Sequence, residues 1–162
     1  MNLIAYARVS TLDSNVEQMA KYLREWADKN RHVIVEMHKD KESGRIPLHL
    51  RKKFKKIISR VPFSNADGLL VIAIDRITRN WYDQGVIEKV FSENWEVCKL
   101  VSAFDRVDLG TASGRAMFRM QMAMSCFEVE RMFERQVIGI ERAKAEGKFK
   151  GRKVGSKNKV RK

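Results

Sequence analysis

Apolar and polar positions alternate along the chain in blocks that switch between strand-like and helix-like spacing. Leu3 to Val9 is a short apolar run with aromatic and β-branched members and predicts a buried strand. Val16, Met19, Ala20, Leu23, Trp26 and Ala27 then recur at helical spacing, with Asp13 or Ser14 as the expected N-cap. Val33 to His38 predicts a second strand. The polar stretch Lys39 to Leu50, with Ser43, Gly44 and Pro47, predicts a loop long enough to carry function. Phe54, Ile57, Ile58 and Val61 predict a short helix. Leu69 to Ile74 is apolar without alternation, the pattern of a strand buried on both faces. Tyr82, Val86 and Val90 belong to a third helix, and Val97 to Phe104 to a fourth strand.

This β-α-β-α-β-α-β order predicts an α/β fold: a mostly parallel sheet of about four to five strands flanked by helices. The rhythm then changes. Between Ser113 and Gly147 there is no proline, and apolar residues recur at Met117, Met120, Met124, Phe127, Met132, Val137 and Ile140. A helix over those positions would be roughly 50 Å long, more than a domain of this size covers with its own core. Its methionine-rich face is therefore expected to pack partly against another subunit, the alternative being a long core helix within a monomer. The expected organisation is an α/β domain over 1–110, a long C-terminal oligomerisation helix over 111–147, and a basic tail or linker over 148–162.

Composition narrows the functional classes. With 162 residues and 44% hydrophobic content the chain can bury one core. No apolar run approaches the roughly 18 residues of a membrane span, and no signal peptide follows Met1, so no membrane partner is expected. Cys98 and Cys126 lie in apolar segments without a CxxC, which fits a reducing cytoplasm. The formal net charge is +13, and ten basic residues against Glu146 from Arg142 onward place +9 of it at the C-terminal end. That asymmetry points to a polyanion, most simply nucleic acid, against the plainer reading of a solvated tail.

Ligands of open parallel sheets bind beyond the carboxyl ends of the strands. The polar residues following the predicted strands form one such rim: Arg8, Ser10 and Thr11, then Asp40, Ser43, Arg45 and Arg51, then Asp75, Arg76, Thr78 and Arg79, then Asp105, Arg106 and Asp108. Planar, bidentate, always charged guanidinium groups suit phosphodiester oxygens and the charge that builds on them during displacement at phosphorus. The rim acids each have arginine neighbours that would repel a divalent cation, so metal-free chemistry with no cofactor is expected. His32, His38 and His49 cluster around the second strand and no GxSxG surrounds Ser10, which disfavours a Ser-His-Asp hydrolase.

The run Tyr6-Ala7-Arg8-Val9-Ser10-Thr11 followed by Gln18 resembles the signature of the serine recombinases, the resolvase/invertase family. So do Asp40-Lys41-Glu42-Ser43-Gly44, Arg51 before a helix, Asp75-Arg76-Ile77-Thr78-Arg79, Thr111-Ala112-Ser113-Gly114-Arg115, Glu134-Arg135 and Gly151-Arg152-Lys153. The resemblance implies a site-specific recombinase that cuts and rejoins double-stranded DNA through a covalent 5′-phosphoserine on Ser10. Arg8, Arg76 and Arg79 would hold the scissile phosphate, and Asp75 would orient them or help protonate the leaving oxygen. Gln18, Asp40, Ser43 and Arg51 would complete the pocket, with Arg51 also touching phosphate. It further implies that 1–110 is the catalytic domain and that the helix over 111–147 contacts DNA, with DNA contacts by Arg115, Arg135, Lys148, Lys150, Arg152 and Lys153, and a homodimer that works as a homotetramer.

Two departures stand out. Glu128-Val129 occupies the place of a usual Glu-Arg pair, with Arg131 two residues on, and the chain stops at Lys162, where relatives continue into a DNA-binding domain. Resolution, inversion, integration and transposition are equally open. The rival classes are a non-enzymatic nucleic-acid-binding module that relies on its basic tail and a metal-dependent nuclease on a similar sheet.

Overall fold

The computed structural model describes residues 1–9, 15–44, 46–105 and 107–148. Four strands, β1 (Asn2–Arg8), β2 (Val33–Asp40), β3 (Gly68–Val71) and β4 (Lys99–Ser102), alternate with α1 (Val16–Lys29), α2 (Lys52–Arg60) and α3 (Gln84–Glu93), and α4 (Ala112–Ala145) follows. All strand pairs are parallel, in the order β2-β1-β3-β4. The predicted class and the long last helix are therefore those of the molecule.

β1 runs through the middle of the sheet and its alternation feeds two cores. Leu3, Ala5 and Ala7 face α1, packing with Val16, Ala20, Leu23 and Ala27. Ile4 and Tyr6 face the other way, onto Phe54 and Ile57 of α2, Ile87 and Phe91 of α3, and Phe118 and Met122 of α4. β3 is buried along its whole length, as its unbroken apolar run predicts.

Several boundaries differ from the sequence expectation. α1 is capped by Asn15 rather than Asp13 or Ser14: its side-chain oxygen accepts from the backbone N–H groups of Glu17 at 3.0 Å and Gln18 at 3.1 Å. α1 ends where Arg31 takes a left-handed φ of 58° and His32 N–H reaches back to the Ala27 carbonyl. β2 continues to Asp40 because Val9 N–H bonds the Asp40 carbonyl and extends the ladder, and Leu48–Leu50 within the expected loop form a 3-10 turn. β3 stops at Val71, and Ile74–Arg76 forms a 3-10 turn whose Ile74 N–H is taken by Asp105. β4 is confined to four residues of the longer stretch expected.

Contacts divide the chain into two compact units, Met1–Cys126 and Phe127–Lys162. In the first, α4 is seated by Phe118 and Met122, one turn apart, while Met117, Met120 and Met124 are exposed. The helix begins at a close approach: a Cβ on Gly114 would lie 1.7 Å from the Asp108 carbonyl oxygen, so only glycine fits there. In the second unit, Phe127, Met132, Phe133, Val137 and Ile138 are exposed, and Arg131 lies over the Phe127 ring at 5.9 Å. Among the described residues no helix is long and apolar enough to cross a membrane.

Candidate active site

β1 is followed in sequence by a strand on one side of it and later by a strand on the other, so the carboxyl ends of β1 and β3 form the crevice where chain direction reverses. Arg8 ends β1 there, and the 3-10 turn Ile74–Arg76 leaves β3 beside it. Arg8 Nε donates to the Arg76 carbonyl at 2.6 Å and Nη1 to the Glu42 carbonyl at 3.0 Å. The guanidinium lies against Gly44, where a Cβ would come within 2.7 Å of Nη2. Gly44 is itself pinned, its carbonyl accepting from Arg79 N–H at 2.8 Å. Buried Asp83 ties the same segments together, accepting from Thr78 Oγ1 at 2.8 Å and from Leu48 N–H at 3.0 Å.

Asp75 joins the other two arginines. Its Oδ2 accepts from Arg79 Nη2 at 2.7 Å, and its Oδ1 is 3.4 Å from Arg76 Nε. Arg8 is 2% exposed, whereas the side chains of Arg76 and Arg79 are 37% and 32% exposed. One guanidinium therefore forms a floor and two form a rim that solvent reaches. Behind the floor is a second buried layer. Tyr6 donates its hydroxyl to Asp40 at 2.9 Å, and Arg51 reaches the Tyr6 oxygen at 3.5 Å and bonds the Ile77 carbonyl. The Arg51 guanidinium also covers the Phe54 ring at 5.1 Å.

The site is short of negative charge. Burial, and then repulsion from Arg51, Arg76 and Arg79 against attraction to Tyr6, lowers the Arg8 guanidinium to about 10. Burial, with Asp40 alongside, raises the Tyr6 hydroxyl above its ordinary value, so it stays a neutral donor. A cluster of cations held by backbone carbonyls and a single bridging carboxylate is a site for an anion, and its planar forks fit phosphate oxygens.

Comparison with known proteins agrees with that chemistry. Residues 3–149 match the family described as Resolvase, N terminal domain. The chain is 34% identical over 152 residues to the Transposon Tn2501 resolvase of Escherichia coli, covering 93% of this chain and 75% of that one. It is 30% identical over 152 residues to the serine recombinase PinR of Escherichia coli strain K12, covering 93% and 74%. The chain belongs to the resolvase family of serine recombinases. Its fold is also that of the N-terminal catalytic domain of TP901-1 integrase, with a TM-score of 0.62 at 23% identity, covering 80% of this chain and 98% of that domain. As a serine recombinase it is an enzyme of site-specific DNA recombination.

Of the residues singled out in the sequence of this recombinase, Arg8, Asp75, Arg76 and Arg79 converge directly. Asp40 and Arg51 lie behind them, both buried, so Arg51 touches Tyr6 and Ile77 rather than an open surface. Ser43 sits next to Gly44, and its carbonyl accepts from Ile46 N–H at 3.1 Å. Gln18 lies in the first turn of α1 with its side chain exposed. Ser10, Thr11, Arg45 and Arg106 lie outside the described residues, as do Lys150, Arg152 and Lys153.

The residues expected to contact DNA are placed as follows. Arg115 folds back on the Leu109 and Gly110 carbonyls at 3.1 and 3.2 Å, Arg135 Nε bonds the Arg131 carbonyl at 3.3 Å, and Lys148 pairs with Glu146 at 2.7 Å. Asp105, read from sequence as part of the ligand rim, instead secures the turn that bears Asp75. It accepts from Ile74 N–H at 2.8 Å, Ser102 Oγ at 2.9 Å and Gln121 Nε2 at 3.3 Å. Tyr6 and Asp83 also support the site: Tyr6 opens the quoted signature without a role assigned to it there, and Asp83 lies outside every quoted motif. By pattern Tyr6 is one more member of an apolar strand, which hides its hydroxyl's partner Asp40, and nothing near Asp83 in sequence signals its partners Thr78 and Leu48.

Proposed function

We propose that this enzyme cuts and rejoins DNA with Ser10 as nucleophile and with Arg8, Arg76 and Arg79 as the clamp on the scissile phosphate. As Ser10 Oγ bonds to phosphorus its hydroxyl proton departs, the bond from phosphorus to the 3′-oxygen breaks, and that oxygen takes up a proton. The 5′-phosphate stays on the serine until a 3′-hydroxyl reverses these steps, which conserves the energy of the bond. The observation that carries this reading is the convergence of three arginines at the carboxyl ends of β1 and β3: Arg8, two residues before Ser10 in the chain, bonds the Arg76 carbonyl, and Asp75 joins Arg76 and Arg79. Fixed cations there stabilise charge on the non-bridging oxygens. Asp75 bonds Arg79 through one guanidinium nitrogen and keeps Arg76 close; Asp40 and Arg51 are positioning residues acting through Tyr6 and the Ile77 carbonyl.

Metal-independent chemistry is supported by the engagement of the carboxylates at the rim. Asp75 is bonded to arginines, Asp40 to Tyr6, and Asp105 to Ile74 and Ser102. Assembly as a dimer and tetramer is supported by the apolar side chains that α4 leaves exposed, Met117, Met120 and Met124 in the first unit and Phe127, Val137 and Ile138 in the second. The basic residues from Lys148 onward supply sequence-independent contacts to the DNA backbone.

Ser10→Ala tests the nucleophile. The parent chain should form a denaturant-resistant protein–DNA adduct in the presence of chelator, and Ser10→Ala should bind the same duplex without forming one. An adduct from Ser10→Ala would misassign the nucleophile, and no adduct from the parent would leave a DNA-binding module.

A further inference from the structure

The C-terminal residues are not the only focus of positive charge. Residues 39–60 hold nine basic residues against Asp40 and Glu42, a net of +7, so the rest of the first 141 residues is net acidic. Most of that charge lies on α2. Its apolar positions Phe54 and Ile57 are buried, while Lys52, Lys53, Lys55, Lys56 and Arg60 are all exposed, and the helix contains no acid.

The arrangement works against the helix itself. Lys52 and Lys53 sit in the first turn, where the helix dipole disfavours cations. Lys52 faces Lys55 and Lys56, and Lys53 faces Lys56, at the spacings where like charges repel. Arg60 is 3.4 Å from Glu36, and Lys53 donates to the Lys39 carbonyl at 3.0 Å, but Lys52, Lys55 and Lys56 pair with no carboxylate among the described residues. A face made only for solubility interleaves acids, as α1 does with Glu17, Glu25 and Asp28, and a Lys21–Glu25 pair at 3.8 Å. On α2 the balancing charge has to come from outside the chain.

Resting on the reading of this chain as a DNA recombinase, we propose that the exposed face of α2 binds the phosphate backbone of double-stranded DNA, as a contact surface separate from the arginine clamp and from the C-terminal basic residues. Lysine ammonium groups act as point charges toward phosphate and do not form the bidentate pairs that read bases, so the contact adds affinity without sequence preference. A nine-residue helix spans about 13 Å, along which a duplex carries about eight charges. A lipid surface fits less well, because an interfacial helix must insert its apolar face and that of α2 is committed to Phe54 and Ile57 in the core.

The test is a full-length variant carrying Lys52→Gln, Lys53→Gln, Lys55→Gln and Lys56→Gln, titrated with a fluorescent duplex across a salt series. Four lost phosphate contacts would reduce the slope of log affinity against log salt by about 3.5, and a reduction of at least about 2 with at least a tenfold loss at about 0.1 M salt is expected. A matched control with Lys21→Gln, Arg24→Gln, Lys29→Gln and Arg31→Gln removes the same charge from α1 and its end, and should change the slope by less than about 1. The α2 variant should melt at or above the parent temperature, since it relieves repulsion. If it melts early, Lys55→Gln with Lys56→Gln is read in the same way for half the slope change. A parental slope in the α2 variant, or an equal loss in the control, overturns the proposal; so does a loss confined to phosphatidylserine vesicles. A parent that shows this salt dependence yet never cleaves DNA counts against the recombinase chemistry and not against the α2 contact.

Discussion

Gly44→Ala isolates the position of Arg8 from its chemistry. The backbone tolerates alanine, since Gly147 alone among the described glycines has a positive φ. The obstacle is the Arg8 guanidinium, with Nη2 at 2.7 Å, Cζ at 2.9 Å and Nη1 at 3.3 Å from the new Cβ. Ordinary contact starts near 3.5 Å, so one partner must retreat by about 0.8 Å. Residue 44 is held by the 2.8 Å bond from Arg79 N–H to its carbonyl, so the arginine is the part that gives. A shift of that size takes the 3.0 Å bond to the Glu42 carbonyl beyond hydrogen-bonding range and turns the fork away from the site. Misplacing a catalytic group by about 1 Å costs on the order of 10²-fold, or ~3 kcal/mol. Single-turnover formation of the covalent adduct should therefore slow about 100-fold, while the melting temperature moves little, because loss of unfolded-state freedom offsets part of the strain. Arg8→Lys removes the atoms that collide, so adding Gly44→Ala to it should slow the reaction by less than about twofold more. Parental adduct formation by a folded Gly44→Ala protein would refute the claim that Arg8 must sit where the structure puts it.

Two other expectations concern assembly and pH. Met124 is 55% exposed on α4, so Met124→Lys should leave melting unchanged and weaken self-association at least about tenfold by sedimentation; unaltered association would remove this methionine from the interface. Burial raises the Cys98 thiol from 9.0 to about 12, so between those values the native state keeps a proton that the unfolded state loses. Its contribution to stability is complete below pH 9 and is lost as pH climbs toward 12. The stability difference between parent and Cys98→Ala should therefore shrink from pH 8 to 10.5, and a constant difference would show that the thiol is not desolvated.

The order and type of the elements were legible in the sequence because hydrophobic patterning reports local geometry: short unbroken apolar runs in β1 and β3, helical spacing along α1. The residue types at the carboxyl ends of the predicted strands also marked Arg8, Asp75, Arg76 and Arg79, since in a parallel sheet those ends lie on one edge whatever the strand order. Capping and burial were decided by partners distant in sequence. β3 ends early because Asp105, 31 residues beyond Ile74, takes its N–H, and Arg51 is buried because Tyr6, 45 residues before it, meets it behind the crevice. The α4 pattern named the methionines, yet Phe118 and Met122 are the residues that seat it, because a helix rich in apolar side chains on several faces does not itself say which face meets the sheet. Chain-local chemistry determined which groups were available for a phosphate site. Only the pairing of β1 with β3, a long-range contact between residues more than 60 apart, put three arginines around one crevice.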